Sequence, residues 1–226
     1  MRRAGWPFFF KWRSVKVSEA FDPNCRRCPR LVEYRARVRN RFPGYHSAPV
    51  PGFGSGRPKL LIVGLAPGLH GANRSGRPFT GDASGNMLFQ MLHEFGFSSS
   101  RDSIGCGDGL ILTECRVTNA VLCLPPQNRP LAQEINCCAS FLAREIESLV
   151  SEGVILALGH LAHTAVLRVM RAAPKSFVFK HHRVHNLASG NFLVDSYHCS
   201  RYNLSTRRLT HEMFRGVFRT VRGLIQ

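Results

Sequence analysis

The sequence contains few acidic side chains, with 14 Asp and Glu against 31 Lys and Arg in 226 residues. The formal net charge is therefore +17, and the basic residues are spread along the chain rather than gathered in one tail. A field of this sign attracts polyanions. We expect a nucleic acid as the partner, and arginines that only keep the protein soluble are the alternative interpretation.

A long apolar run is also missing, because no uncharged stretch approaches the length of about eighteen residues that spans a bilayer. The early run from Trp6 to Phe10 contains a proline and is followed by Lys11, so it is too short for the apolar region of a secretion signal. We therefore expect a soluble, monomeric protein of the cytoplasm that associates with the nucleoid and not with a membrane. The chain length suits one α/β domain.

A phosphate-binding motif is absent as well. The glycine-rich stretch 64–85, GLAPGLHGANRSGRPFTGDASG, contains no lysine and lacks the G-x-x-x-x-G-K-[ST] pattern. A flexible linker is disfavoured because Pro67, Phe79 and Asp82 interrupt the stretch. Glycines beside an aromatic ring and a carboxylate favour a tight pocket, in which backbone approaches a flat ligand and a side chain stacks on it.

Strands and helices alternate along the rest of the chain. Short apolar runs bounded by Gly and Pro predict buried strands at 59–64, 116–123, 153–159 and 191–198. A further extended piece is expected at 176–185. Helical spacing of apolar residues predicts helices directly after the Cys-x-x-Cys pair at residue 25 and at 84–95, 131–150, 160–173 and 209–225.

The helix at 84–95 has clear end signals, with Ser84 as its N-cap, or Asp82 in that role, and Gly96 as its stop. The alternation of strand and helix predicts an α/β fold, a three-layer α/β/α sandwich with a central, mainly parallel sheet. Polar loops follow three of the strands, at 65–82, 124–130 and 197–207. In such sheets ligands bind beyond the carboxyl ends of the strands, so these loops should converge on one cleft.

The three polar loops also carry sequence motifs that resemble those of a known family. The stretch 64–85, CLPPQNRP at 123–130 and SYHCSRYNLSTRRLT at 196–210 resemble, in this order, the motifs of the uracil-DNA glycosylase superfamily, specifically its family 5, the iron-sulfur type. The likeness implies one glycosylase-like domain over 23–226, including a metal-bound N-terminal helix, preceded by a basic arm at 1–22. It also implies a DNA repair enzyme that extrudes a deaminated base from single- or double-stranded DNA.

At the base end of the nucleotide, the resemblance implies that Phe79 stacks on the extruded base and that His198 donates to a base oxygen. A fixed donor there makes chemical sense, because departing uracil carries a negative charge. Asn119 differs from the alanine common in family 5, and it points to a preference for uracil. The resemblance also implies that backbone of the Gly-x-Ala-Pro-Gly loop lines the pocket, at Gly64, Ala66, Pro67 and Gly68.

At the sugar end, the resemblance implies that Asp82 and Asn128 lie near the attacking water, where a carboxylate steadies a developing oxocarbenium ion. The loop after His198 should press into the DNA groove, with Leu204 as the wedge that fills the gap left by the flipped base. Cys199 stands where many relatives have proline. The phosphate contacts implied for this loop are Arg201, Arg207 and Arg208.

The cysteines predict a metal site. The pair Cys25 and Cys28 can place two thiolates on one metal, and Cys123 with Cys138 can supply two more if the intervening loop folds back. Spacing alone leaves a zinc site as an alternative. The resemblance implies a structural four-iron four-sulfur (4Fe-4S) cluster with these four ligands. The other cysteines are interpreted as ordinary small residues, at 106, 115, 137 and 199.

Together these observations predict a monofunctional DNA glycosylase. It should hydrolyse the N-glycosidic bond of uracil, and of other deaminated bases such as hypoxanthine and xanthine, and leave an abasic site. The competing hypothesis is a non-catalytic nucleic-acid-binding protein held together by a metal. That hypothesis explains the charge and the cysteines equally well, but it does not explain why the three motif loops follow strands.

Overall fold

The fold centres on one six-stranded sheet in the computed structural model, which describes residues 21–225. The strand order is β1-β3-β2-β4-β6-β5. The four central strands are parallel, and the short edge strands β1 and β5 are antiparallel to their neighbours. The strands are β1 Phe53–Gly54, β2 Leu60–Gly64, β3 Cys115–Asn119, β4 Val154–Leu158, β5 Val184–Asn186 and β6 Phe192–Ser196.

Helices cover both faces of this sheet. Every residue of β2 and β4 is buried, as expected for parallel strands covered on both sides. Successive residues of β2 point to opposite faces, so Ile62 packs with helices α3 and α7 and Val63 with α4 and α5. The helices are α1 Pro29–Arg41, α2 Ala72–Ser75, α3 Ala83–Glu94, α4 Ala132–Glu147, α5 His160–Val169, α6 Arg201–Ser205 and α7 His211–Leu224.

The predicted α/β sandwich with a mainly parallel sheet is therefore confirmed. The expected basic arm falls almost wholly on residues 1–20, outside the described residues, so the division of the chain near residue 22 stays a prediction. No helix within 21–225 is long and apolar enough to cross a membrane.

Three local predictions need correction. The N-cap of α3 is Asp82 and not Ser84, because the Asp82 carboxylate accepts a hydrogen bond from the Gly85 N–H at 3.0 Å. Strand β3 ends at Asn119, although the N–H groups of Ala120 and Val121 still donate to the carbonyls of Gly64 and Leu65, and residues 121–123 pack with Leu31 of α1. The loop after β6 contains α6, whose N-cap Ser200 accepts from the Asn203 N–H.

The extended piece predicted at 176–185 is also shorter in the structure. Only Val184 and His185 of that range pair with β6, and residues 177–183 reach them without regular structure. Because β2, β3, β4 and β6 are parallel, the loops that follow them emerge at one edge of the sheet. The candidate site lies at that edge.

Candidate active site

A cavity of about 320 Å³ opens at the carboxyl edge of the sheet. It brings together residues from all three motif loops that the sequence singled out. Its lining residues are Leu65, Ala66, Gly68, Ala72, Phe79, Asp82, Ser84, Asn119, Asn128, His198 and Ser200. Gly64 and Pro67, also predicted for the pocket, lie in the same loop but do not line the cavity. Leu65, Ala72, Ser84 and Ser200 line it without having been predicted.

Phe79 and His198 form one wall of the cavity. Their ring centroids lie 6.0 Å apart, and the ring planes differ by 26°. Phe79 is buried, and its backbone adopts a left-handed conformation with φ of 53°, which residues other than glycine rarely adopt. A Cβ on Gly85 would collide with the Phe79 carbonyl, so the first turn of helix α3 requires a glycine at this position. The surrounding structure therefore determines where this ring lies.

The carboxylate of Asp82 has two different environments. Its Oδ1 accepts the capping hydrogen bond from Gly85, while its Oδ2 faces Gly68 and Gly71. A Cβ on Gly71 would collide with the Asp82 carboxylate, and one on Gly68 would come within 3.4 Å of Oδ2. The glycines of this loop thus make room for a carboxylate. Asp82 can cap helix α3 and also act in the pocket, because Oδ1 makes the capping hydrogen bond and Oδ2 faces the loop glycines.

The pKa of His198 is lowered from its ordinary value because burial disfavours the imidazolium ion, and the negative charge of Asp82 partly opposes this effect. A neutral imidazole is therefore favoured in the pocket near neutral pH. The backbone carbonyl of His198 accepts a hydrogen bond from Asn203 Nδ2 at 2.8 Å, which ties the residue to α6. The site thus holds a neutral donor beside a carboxylate.

Two asparagines line the cavity, one buried and one exposed. Asn119 ends β3 and is 3% exposed, and its Oδ1 lies against Gly64, where a Cβ would collide with it. Asn128 is exposed at the end of a 3₁₀ turn, and both it and Gln127 have positive φ angles, 55° and 54°. Two consecutive left-handed residues that are not glycine indicate local strain of the kind that clusters at functional sites.

The segment after His198 contains the residues predicted to contact DNA. Arg201, Arg207 and Arg208 are exposed. Leu204 is half-buried and packs against the main core cluster, whereas Tyr202 on the same short helix is 70% exposed. Tyr202 was not predicted from the sequence, and the signal that could have identified it is an aromatic residue within an otherwise polar loop.

Cys199 connects this segment to helix α3. Its thiol is fully buried and donates to the Ser84 carbonyl at 3.4 Å. Burial raises the pKa of the Cys199 thiol to about 12, and the charge of Asp82 adds to the effect. The residue therefore stays a neutral packing group, as its interpretation as an ordinary small residue expected.

Five cysteines surround a second, closed cavity between α1 and α4. Four are those predicted as ligands, and the fifth is Cys137: Cys25, Cys28, Cys123, Cys137 and Cys138. Burial and the neighbouring thiols raise the pKa of Cys28 to about 12. Burial likewise raises the pKa values of Cys123 to about 11 and of Cys138 to about 12. Sulfur donors gathered around one cavity suit a shared metal, to which they bind as thiolates.

A sequence model of the uracil DNA glycosylase superfamily matches residues 51–222. The chain belongs to this superfamily. It is 46% identical to the type-5 uracil-DNA glycosylase of Thermus thermophilus over 195 residues, which cover 84% of this chain and 89% of that protein. It is 44% identical to the type-5 enzyme of Mycobacterium leprae over 209 residues, covering 88% and 91%.

A type-4 uracil-DNA glycosylase, from Sulfurisphaera tokodaii, is 27% identical over 205 residues, covering 86% of this chain and 79% of the relative. The higher identity to type-5 glycosylases confirms the expected branch of the superfamily. The superfamily match begins at 51, so it includes all three motif loops but not Cys25 and Cys28.

Proposed function

We propose that this chain hydrolyses the N-glycosidic bond of uracil in DNA by attack of water, leaving an abasic site without cutting the strand. The observation that supports this most directly is that one cavity holds the ring of Phe79, the neutral imidazole of His198 and the carboxylate of Asp82. These are a stacking face, a donor and an anion, as base extrusion and glycosidic cleavage require.

The base occupies the side of the cavity formed by Phe79 and His198. Phe79 stacks on the extruded ring, and backbone from Gly64 to Gly68 approaches its edge. As the glycosidic bond breaks, its electron pair moves into the base. The His198 imidazole donates a hydrogen bond to the base oxygen on which that charge develops, and it lowers the barrier because the donor is already fixed.

The sugar and the water occupy the side of the cavity near Asp82. The free Oδ2 of Asp82 faces Gly68 and Gly71, and its charge stabilises the oxocarbenium-like sugar or orients the water. Asn128, exposed at the cavity rim, holds the same water with its side-chain amide. Water then adds to the anomeric carbon and loses a proton, and the base leaves as an anion that is protonated afterwards.

Substrate breadth follows from the few polar groups at the base end. We propose that hypoxanthine and xanthine are also released, because stacking on Phe79 does not distinguish one flat base from another. Asn119, buried at the end of β3, is the polar side chain best placed to read a base edge. Its amide favours uracil over the other deaminated bases.

For DNA binding, Arg201, Arg207 and Arg208 contact phosphates. We assign the wedge to Tyr202 in place of the expected Leu204, because the exposed aromatic ring is free to enter the base stack while Leu204 packs against the core. The protein acts as a monomer in the cytoplasm, beside the nucleoid, on single- or double-stranded DNA.

The five-cysteine cavity supports a structural 4Fe-4S cluster more than the zinc alternative. Four thiolates on one zinc ion lie about 3.8 Å apart, given a zinc–sulfur distance of about 2.3 Å. Among the described residues no three cysteine sulfurs lie within 4.8 Å of one another, so the donors are spread too widely for a single ion. The cluster would be held by Cys25, Cys28, Cys123 and Cys138, and it would join α1, the segment after β3 and α4.

The decisive experiment uses a labelled duplex with a single uracil, which is incubated with the protein and then treated with alkali. Cleavage at the uracil position only after alkali supports a monofunctional glycosylase, and cleavage before alkali contradicts it. Tight DNA binding with no release of uracil, hypoxanthine or xanthine would favour the non-catalytic alternative. A matched duplex with thymine at the same position is the substrate control.

A further inference from the structure

Residues 177–183, which we name the strap, run beside the carboxyl end of β6. Because β5 is antiparallel to β6, the chain that leads into β5 lies at the same sheet edge as the pocket loops. The His182 N–H donates to the Asp195 carbonyl at 2.8 Å, and the Asp195 N–H donates to the Arg183 carbonyl at 2.9 Å. The strap is therefore fixed next to the strand that leads to His198.

A wholly buried carboxylate holds the strap from beneath. Asp195 is 0% exposed, and its oxygens face His163 Nδ1 at 2.6 Å, His185 Nε2 at 2.9 Å and the Lys180 N–H at 3.3 Å. The other ring nitrogen of His163 faces the carbonyl of Phe177, the first strap residue, at 2.9 Å. The two ring nitrogens of His163 therefore link the buried carboxylate to the first residue of the strap.

The outer face of the strap continues the basic surface of the cleft. Lys180 and Arg183 are exposed. The His181 ring stacks on Tyr197, with centroids 4.9 Å apart and planes within 15°, and the Arg208 guanidinium lies 4.8 Å from the centroid of the same Tyr197 ring. Arg208 is one of the residues proposed to bind phosphates. His181 of the strap contacts the same Tyr197 ring, so the strap adjoins the proposed phosphate-binding surface.

His181 has a defined tautomer. Its Nδ1 accepts a hydrogen bond from the Tyr197 N–H at 3.2 Å, so the hydrogen of the neutral ring lies on Nε2. Burial, together with the neighbouring His182, lowers the pKa of His181 and keeps the ring neutral. The strap therefore offers one fixed N–H donor between two cationic side chains.

We propose that the strap is a second DNA-contact surface, in which Lys180 and Arg183 bind backbone phosphates flanking the extruded nucleotide and His181 Nε2–H donates to a phosphate oxygen. Charge complementarity and continuity with Arg208 favour DNA as the occupant. Asp195 acts as a positioning residue. It accepts from the Lys180 N–H directly, and it holds Phe177 in place through His163. The inference rests on the proposed function, because it takes the cleft beside the strap as the place where DNA binds.

Binding to a duplex with a non-cleavable abasic analogue, measured by fluorescence anisotropy over a range of salt concentrations, tests the strap without requiring activity. The variant Lys180→Gln/Arg183→Gln should raise Kd about tenfold at low salt and reduce the slope of log K against log salt by about two, one for each phosphate contact. The matched control is Arg57→Gln/Arg144→Gln. It removes the same charge from two exposed arginines near the amino ends of the strands.

An equal change in both double variants would show a general charge effect and overturn the proposal, as would an unchanged slope in the strap variant. His181→Asn separates the donor from the fold, because the Asn oxygen can still accept from Tyr197 while the outward N–H is lost. We expect about a fivefold rise in Kd with an unchanged melting temperature. If wild type binds this duplex but releases no uracil from a separate uracil-containing duplex, the proposed function fails while the strap is still tested.

Discussion

The charge of Asp82 raises the pKa of His198, in opposition to the larger lowering caused by burial. The Asp82→Asn variant should therefore have a His198 pKa below that of wild type. A histidine ring titration followed by NMR measures this directly. The control is Asp102→Asn, at an exposed position outside the cavity, which should leave the His198 titration unchanged. A higher His198 pKa in Asp82→Asn would contradict the assigned electrostatics.

The same pKa has a consequence for stability. In the unfolded chain a histidine takes up a proton near pH 6.5, whereas folded His198 takes it up only at lower pH. The contribution of His198 to stability is therefore present above pH 6.5 and declines as the pH falls below it. Denaturant unfolding from pH 7.5 to 5 should show a weaker acid dependence in His198→Ala, and an unchanged dependence would contradict this.

Replacing Asp82 separates its two roles. Asp82→Asn keeps an N-cap side chain but loses the charge, so we expect turnover to fall about 10²-fold to 10³-fold while the melting temperature and DNA affinity change little. Asp82→Ala should lose similar activity and, in addition, about 1 kcal/mol of stability from the missing cap. Single-turnover uracil release, anisotropy and thermal melting measure the three quantities. Equal stability of the two variants would contradict the capping role.

The space that Gly71 leaves for the Asp82 carboxylate can be tested by a single methyl group. Gly71→Ala should displace the Asp82 carboxylate and reduce single-turnover uracil release at least tenfold, roughly 1.4 kcal/mol in the barrier. Gly44→Ala is the matched control, since a Cβ there has no heavy-atom neighbour within 4 Å. Normal activity in Gly71→Ala would mean that the position of the carboxylate is unimportant.

The two apolar side chains of α6 should respond differently to truncation. Tyr202→Ala should reduce uracil release from duplex DNA more than from single strands, because the wedge matters only where a base stack must be held open, and its melting temperature should not change. Leu204→Ala should lose roughly 1–3 kcal/mol of stability, in keeping with its half-buried contact with the core. The opposite pattern would restore Leu204 as the wedge.

Metal content should follow the cysteine cavity. Cys28→Ser should lose most of the iron and the visible absorbance of anaerobically purified protein, and it should melt at a lower temperature because α1 loses one of its attachments to α4, the ion pair of Arg30 with Glu134 remaining. Cys106→Ser, at an exposed cysteine, should keep both. A colourless wild-type protein containing zinc would contradict the cluster.

Sequence periodicity was sufficient for the sheet and its helices because buried parallel strands and amphipathic helices carry strong local patterns. It was insufficient where tertiary contacts decide. Strand β3 is cut short at Asn119 because the chain turns to bring Cys123 to α1. The cap of α3 moved to Asp82 for the same kind of reason, since only the folded loop shows which side chain reaches the Gly85 N–H.

Seven residues predicted from the sequence for catalysis or base binding line one cavity in the structure, whereas their surroundings could not be predicted. Tyr202 and Leu204 are two apolar residues of one short segment, and only packing shows which one is exposed. Cys137 is adjacent to Cys138, so sequence gave no reason to place both at the same cavity. The buried contact between His163 and Asp195 joins residues far apart in the chain and has no motif of its own.

The buried segment 120–123 joins two parts of the molecule that otherwise have separate chemistry. It begins directly after Asn119, at the base pocket, and ends at Cys123, in the cysteine cavity, with every residue buried. A displacement of Cys123 would therefore be passed through only three buried residues to the end of β3. With the proposed iron-sulfur cluster in the cysteine cavity, assembly of the cluster and shaping of the base pocket would be linked, and iron supply would limit how much protein has a finished pocket.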